Sequence, residues 1–150
     1  MSNSLKWLVL ASLTNLVGNA FGAMLALQHN LAGDFGGFLD GQDVLRDFLG
    51  LKGTALSAPL SFMLIQLGLT ILAQRPGRSG RVGVGGLAFV GLFYTLAQAG
   101  EPIGLQLLRP GAFDLAQFIV FLVNVASAIA MLVFGIMAWR KMRADDRNYR

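Results

Sequence analysis

Two polar stripes run along this chain, and each ends in a group able to handle a proton. Ser12, Asn15, Asn19, Gly22, Ala26 and His29 recur at steps of three or four, which puts them on one face of a helix. Gly91, Tyr94, Gln98 and Glu101 repeat the pattern later in the chain. If the stripes face each other, His29 and Glu101 meet at their ends, with Tyr94 and Gln98 one to two turns away. A histidine beside a carboxylate can move protons, orient a water or hold a divalent cation with further ligands. Asp34, five residues past His29, can join them. His29, Glu101 and Tyr94 are therefore the candidate catalytic residues. The simpler alternative is that both charged groups face water at helix ends, since Pro102 stops the helix directly after Glu101. One histidine among scattered acids makes no metal signature, so neither a metal nor another cofactor is expected.

A second set has amides and hydroxyls without charge. Asn15, Asn19, Gln66, Gln98, Asn124 and Ser127 all fall inside apolar stretches. Converging amides can bind a small polar ligand, but more often they join helices. Gly18 and Gly22 form a small-xxx-small pair beside the first stripe and suit close backbone approach. Helix packing is the preferred reading of all these residues.

The elements that carry them are apolar. Uncharged runs cover residues 7–27, 54–73, 82–100 and 115–139. At about 1.5 Å per residue, each is long enough to cross a hydrocarbon core of about 30 Å. The 150-residue chain is 55% hydrophobic and 13% charged, and its charges lie outside these runs. A charge at the bilayer centre costs about 2.5–3.5 kcal/mol, which gives that exclusion a physical meaning. The expected fold is an all-α integral membrane protein, one domain of four transmembrane helices in an antiparallel bundle. A cleaved leader is the alternative for residues 7–27. That run exceeds the usual length of about 7–15 residues and contains two asparagines, so a retained span is expected.

Charge sets the threading. Lys6, Arg75, Arg78, Arg81, Arg140, Lys141, Arg143, Arg147 and Arg150 flank one side, nine of the twelve basic residues. Six of the eight acids fall on the other: Asp34, Asp40, Asp43, Asp47, Glu101 and Asp114. By the positive-inside rule both termini are cytoplasmic, and residues 140–150 form a basic cytoplasmic tail. That placement, rather than nucleic acid, explains a pI near 10.1. The absence of cysteine excludes disulfides and thiolate chemistry. Short loops and no cysteine suit a plasma membrane, specifically a bacterial inner membrane.

The long outer loop, 28–53, predicts a short amphipathic helix capped by Asp40 and ended by Gly50. Val44, Leu45, Phe48 and Leu49 would form its apolar face, opposite Asp43, Arg46 and Asp47. It would lie on the outer membrane surface or cap the bundle, as a tether over the helix ends or, alternatively, as a lid. The second outer loop breaks at Pro102, Pro110 and Gly111, its residues 103–108 are apolar enough to enter the interface, and Asp114 can cap the last span. Glycines 83, 85 and 86 are expected to bring the third span close to the second.

The favoured function is non-catalytic: an accessory, self-associating or lipid-binding four-helix module. Its partners would be membrane lipid and either a second copy or another membrane protein. The alternative is an enzyme or small-ligand binder with its site around His29 and Glu101. A small oligomeric transporter comes third, since no ionisable residue lies within a span.

Overall fold

The computed structural model describes residues 2–33, 43–109, 111 and 113–148, with side chains described as far as 144. Asp34, Asp40, Pro110 and Arg150, and the side chains of Asp145, Asp146 and Arg147, lie outside the described residues. The structure is helical, with α1 (Asn3–His29), α2 (Val44–Leu49), α3 (Leu60–Ala73), α4 (Gly77–Gly100), α5 (Ile103–Gln106) and α6 (Leu115–Asn148).

Three of these helices are long and apolar enough to cross a membrane: α1, α4 and α6 over Leu115–Ala144, with mean hydropathies of 1.6, 1.5 and 2.6. Helix α1 starts ahead of its apolar run because the Ser2 hydroxyl accepts the Leu5 N–H at 3.3 Å and caps the first turn. It ends at Asn30, whose left-handed backbone (φ 52°) turns the chain away. Asp114 does cap α6, accepting the Gln117 N–H at 3.0 Å. The basic segment after residue 139 continues the α6 helix to Asn148, since Arg, Lys, Met and Ala propagate a helix and no breaker intervenes.

The second apolar run behaves differently from expectation. Only its last 14 residues, α3, are helical, about 21 Å at 1.5 Å per residue. Residues 54–59 form a buried turn instead. The Thr54 hydroxyl accepts the Leu56 and Ser57 N–H groups at 3.3 and 3.0 Å, and the Thr54 N–H donates to the Ser57 carbonyl at 2.9 Å. Pro59 then sits at the N-cap with an extended backbone. Proline disfavours helix for the residue before it, and hydroxyl-to-backbone bonds offer that stretch an alternative to helix.

Helix α6 packs along α1 and α4, and α3 packs against α4 and α1. Glycines allow the close approaches. A Cβ at Gly83 would strike the Ala73 backbone, and one at Gly86 would strike Leu69, both on α3. Gly85, expected at that same contact, instead faces Trp139 of α6. It lies about 100° from Gly86 around the helix and so meets the other neighbour.

The solvent pattern is that of a protein in lipid. Buried side chains include Ser12, Asn15, Asn19, Gln66, Thr70, Asn124 and Ser127, whereas Val17 and Phe21 are each 56% exposed and Phe89 is 68% exposed. A main apolar cluster joins Leu8, Leu87, Val90, Ala128 and Met131. A second one, of Ala55, Leu56, Ile103 and Leu107, anchors α5 and the 54–59 turn.

Helix α2 forms, but with a different cap and a different face. Asp43 replaces Asp40 as the cap and accepts the Arg46 N–H at 3.0 Å, while its own N–H reaches the Asp47 carboxylate at 3.4 Å. Val44 and Asp47 are the buried residues, and Leu45 and Leu49 point outward. The Asp47 carboxylate faces inward because it completes the cap and its carbonyl receives the Gly53 N–H at 2.9 Å.

Candidate functional site

Tyr94, Gln98 and Glu101 follow one another along a single face of α4. They open onto a cavity of about 350 Å³ at the end where α1 and α4 finish and α3 begins. Phe62 of α3 and Phe93 of α4 stack on its wall with ring centroids 5.5 Å apart. Pro59 and Ala97 complete the apolar lining, and Asn19, Thr54 and Ser57 contribute polar edges. Lys52 and Glu101 bring opposite charges to the same cavity, and each has a partner.

Two polar atoms at this site stand out. Tyr94 is 4% exposed, and its hydroxyl has no hydrogen-bond partner among the described residues; the buried Oε1 of Gln98 has none either. A buried polar group left unpaired costs about 1–3 kcal/mol; two lie on this one cavity wall, and Gln66 Oε1 and Asn124 Oδ1, outside it, are also unpaired among the described residues. Asn19, by contrast, is fully used. Its Oδ1 accepts the Ala58 N–H at 2.6 Å and its Nδ2 donates to the Asn15 carbonyl and Oδ1 at 2.9 and 3.0 Å.

His29 takes no part in this arrangement. Helix α1 is last buried at Ala26, residues 27–30 are exposed, and His29 is absent from the cavity wall. Among the described residues none buries the final turn of α1, so the buried stripe ends at Ala26. Glu101 also borders a smaller cavity of about 200 Å³ together with Asn30 and Gln106. Among the described residues no three His, Cys, Asp or Glu side chains cluster as metal ligands.

The amides do converge, but below this cavity. Asn15 Nδ2 donates to the Asn124 carbonyl at 3.2 Å and to the Ser127 hydroxyl at 2.9 Å. Gln66 Nε2 donates to the Ser12 carbonyl and hydroxyl at 3.0 and 3.1 Å, and Ser12 pairs with Thr70 at 2.7 Å. Asn124 Nδ2 donates to the Leu56 carbonyl at 2.9 Å. Asn15, Gln66, Asn124 and Ser127 lie outside the cavity lining. Gly18 and Gly22 serve the same contacts: a Cβ at Gly18 would strike the Asn124 amide, and one at Gly22 the Leu56 carbonyl.

Sequence reasoning missed Lys52, the Phe62–Phe93 pair and the 54–59 turn. The signal for the turn was present, in two hydroxyl residues three apart followed by Pro59. No protein-family model, curated protein or solved structure matches the chain.

Proposed function

We propose that this chain is a non-catalytic, four-crossing plasma-membrane protein that binds a small, mostly apolar molecule with one polar end in the cavity beside Tyr94. The observation that carries this reading is the unpartnered Tyr94 hydroxyl, buried in a chamber walled by Phe62 and Phe93. Binding sites for small molecules typically combine apolar walls with a few polar groups that fix orientation. A ligand hydroxyl, amide or amine supplies the hydrogen bonds that Tyr94 Oη and Gln98 Oε1 lack. In this reading the second crossing is composite: α3 supplies 14 residues and the buried 54–59 turn completes the depth. Non-helical backbone is tolerated there because it lines a cavity and because Asn19 and Asn124 satisfy it. The four crossings form an antiparallel bundle with both termini cytoplasmic, as the placement of nine basic residues favours. The cavity then opens at the outer face of what we take to be a bacterial inner membrane.

The test is native mass spectrometry of protein released from its own membrane into lipid particles. The parent should retain a small molecule that Tyr94→Phe loses at least tenfold, with folded yield unchanged. A parent that emerges empty, or a Tyr94→Phe variant that retains the molecule equally, would end this reading.

A second reading, an accessory or self-associating unit, is favoured by an exposed apolar groove of about 530 Å³ between Leu13, Val17 and Phe21 of α1 and Ile119 and Val123 of α6. Its occupant would be a helix of a second copy or of another membrane protein. A Val17→Trp variant with unaltered assembly in lipid would remove that support.

A further inference from the structure

At the opposite end of the helices, α4 and α6 part to leave a groove of about 480 Å³. Its floor is small by composition: Gly85 and Ala88 from α4, and Gly135 from α6. A Cβ at Gly135 would crowd Ala88, so the two helices are nearly in backbone contact there. One turn further along, the half-buried Trp139 ring lies over Gly85 and walls the groove. Beyond the ring, Arg140 and Arg143 border the mouth, both exposed.

From this arrangement we infer that the groove is a binding site for one anionic phospholipid, with an acyl chain on the Gly85–Ala88–Gly135 floor and the phosphate held by Arg140 and Arg143. Three observations carry it. The apolar part of α6 ends at Trp139, and indoles settle at the headgroup level, so the two guanidinium groups stand where phosphates lie. Arg140 and Arg143 are three apart on one helix face, and paired guanidinium groups recognise a phosphate through several charge-assisted hydrogen bonds. The groove below them has a floor of two glycines and an alanine, with Ile136 and Trp139 as its larger apolar lining, which gives an acyl chain a track that a smooth helix pair does not offer. A basic flank that only fixes topology needs neither the groove nor the indole wall. The inference uses only α4 and α6 as membrane-crossing helices, so it is independent of the cavity beside Tyr94.

The experiment is native mass spectrometry of the full chain in neutral detergent, with phosphatidylglycerol, phosphatidylcholine or inorganic phosphate added in turn. The parent should retain one phosphatidylglycerol per chain at least tenfold more than phosphatidylcholine. Arg140→Gln with Arg143→Gln should lose that preference. The charge-matched pair Arg75→Gln with Arg78→Gln should keep it, since both side chains are exposed, Arg75 on the α3–α4 link and Arg78 in the first turn of α4, and neither lines the groove. Ile136→Trp, which fills the groove from an exposed position, should also weaken retention while leaving both arginines in place. Equal loss in the two double variants would mean diffuse attraction and overturn the site. Equal retention of phosphatidylcholine would overturn it as well. Inorganic phosphate that competes as well as the lipid would show that the groove contributes nothing, and would replace the lipid with a free anion.

Discussion

Asn19→Ala tests whether the buried amides exist to satisfy a non-helical segment. In the parent, Asn19 Oδ1 accepts the Ala58 N–H at 2.6 Å, just before Pro59 and α3. Without it the half-buried Ala58 N–H on the cavity wall has no acceptor among the described residues. An orphaned buried donor costs about 1–3 kcal/mol. The bonds from Asn19 Nδ2 to Asn15 are lost too, and side-chain bonds inside membrane bundles average about 0.6 kcal/mol. The Asn15 carbonyl keeps its helical N–H, but the buried Asn15 Oδ1 loses its donor, which moves the loss to the upper half of the orphaned-donor range. The expected loss is about 2–3 kcal/mol, a roughly 30- to 150-fold fall in the folded ratio at about 1.4 kcal/mol per tenfold. The control is Thr95→Ala. The Thr95 hydroxyl donates to the Gly91 carbonyl at 2.8 Å within one helix, and that carbonyl retains its helical partner, so about 0.5 kcal/mol or less is expected. Titration of mixed micelles with a denaturing detergent, followed by tryptophan fluorescence, reads both. If Asn19→Ala lies within 0.5 kcal/mol of Thr95→Ala, an error typical of such comparisons, the backbone-satisfaction argument fails.

Gly22→Leu should abolish folded protein, because its side chain has only the Leu56 carbonyl to displace, whereas Gly68→Leu, with open space around it, should express normally; size-exclusion profiles in detergent compare them. The glycine thus reports folding within one chain, and loss of assembly in Gly22→Leu is no evidence of self-association. His29→Ala should change stability by less than about 0.5 kcal/mol and leave ligand retention as in the parent, since the residue is exposed and outside the cavity wall; a large effect on either would restore the histidine to the site.

The apolar runs of α1, α4 and α6 were legible because burial in lipid constrains composition more tightly than any fold does. The polar stripe of α1 was legible through Asn19 and Ala26, since buried amides and small residues recur with the helix period. The stripe runs in sequence as far as His29, which is exposed and outside the cavity lining, and periodicity carries no information on where burial ends. The α3 helix was overextended because hydropathy scores Ala55, Leu56 and Ala58 alike whether they are helical or extended. What distinguishes the two is the hydroxyl chemistry of Thr54 and Ser57 ahead of Pro59. On the apolar face read for α2, Val44 is buried while Leu45 and Leu49 are exposed. Periodicity did not show that Asp47 turns inward, because that follows from its carboxylate accepting the Asp43 N–H.

The cavity and the amide network are two consequences of one local choice. Had residues 54–59 continued α3 as a helix, their backbone would need no side-chain partners, and Asn19 and Asn124 would be costly to bury. Unwinding these residues exposes the Leu56 carbonyl and the Ala58 N–H, which the two asparagines take up. Gly18 and Gly22 leave the room in which that exchange occurs. The same unwinding displaces the chain that would otherwise lie against Tyr94, and Thr54, Ala55, Ser57, Ala58 and Pro59 become cavity wall. A chain under selection for packing alone gains nothing from this exchange, since a continuous helix satisfies its own backbone at no cost in buried amides. The unpaired Tyr94 hydroxyl on the opposite wall runs against packing in the same way. Both features become intelligible together if the space between them is meant to be filled by a molecule that carries its own hydrogen-bonding group.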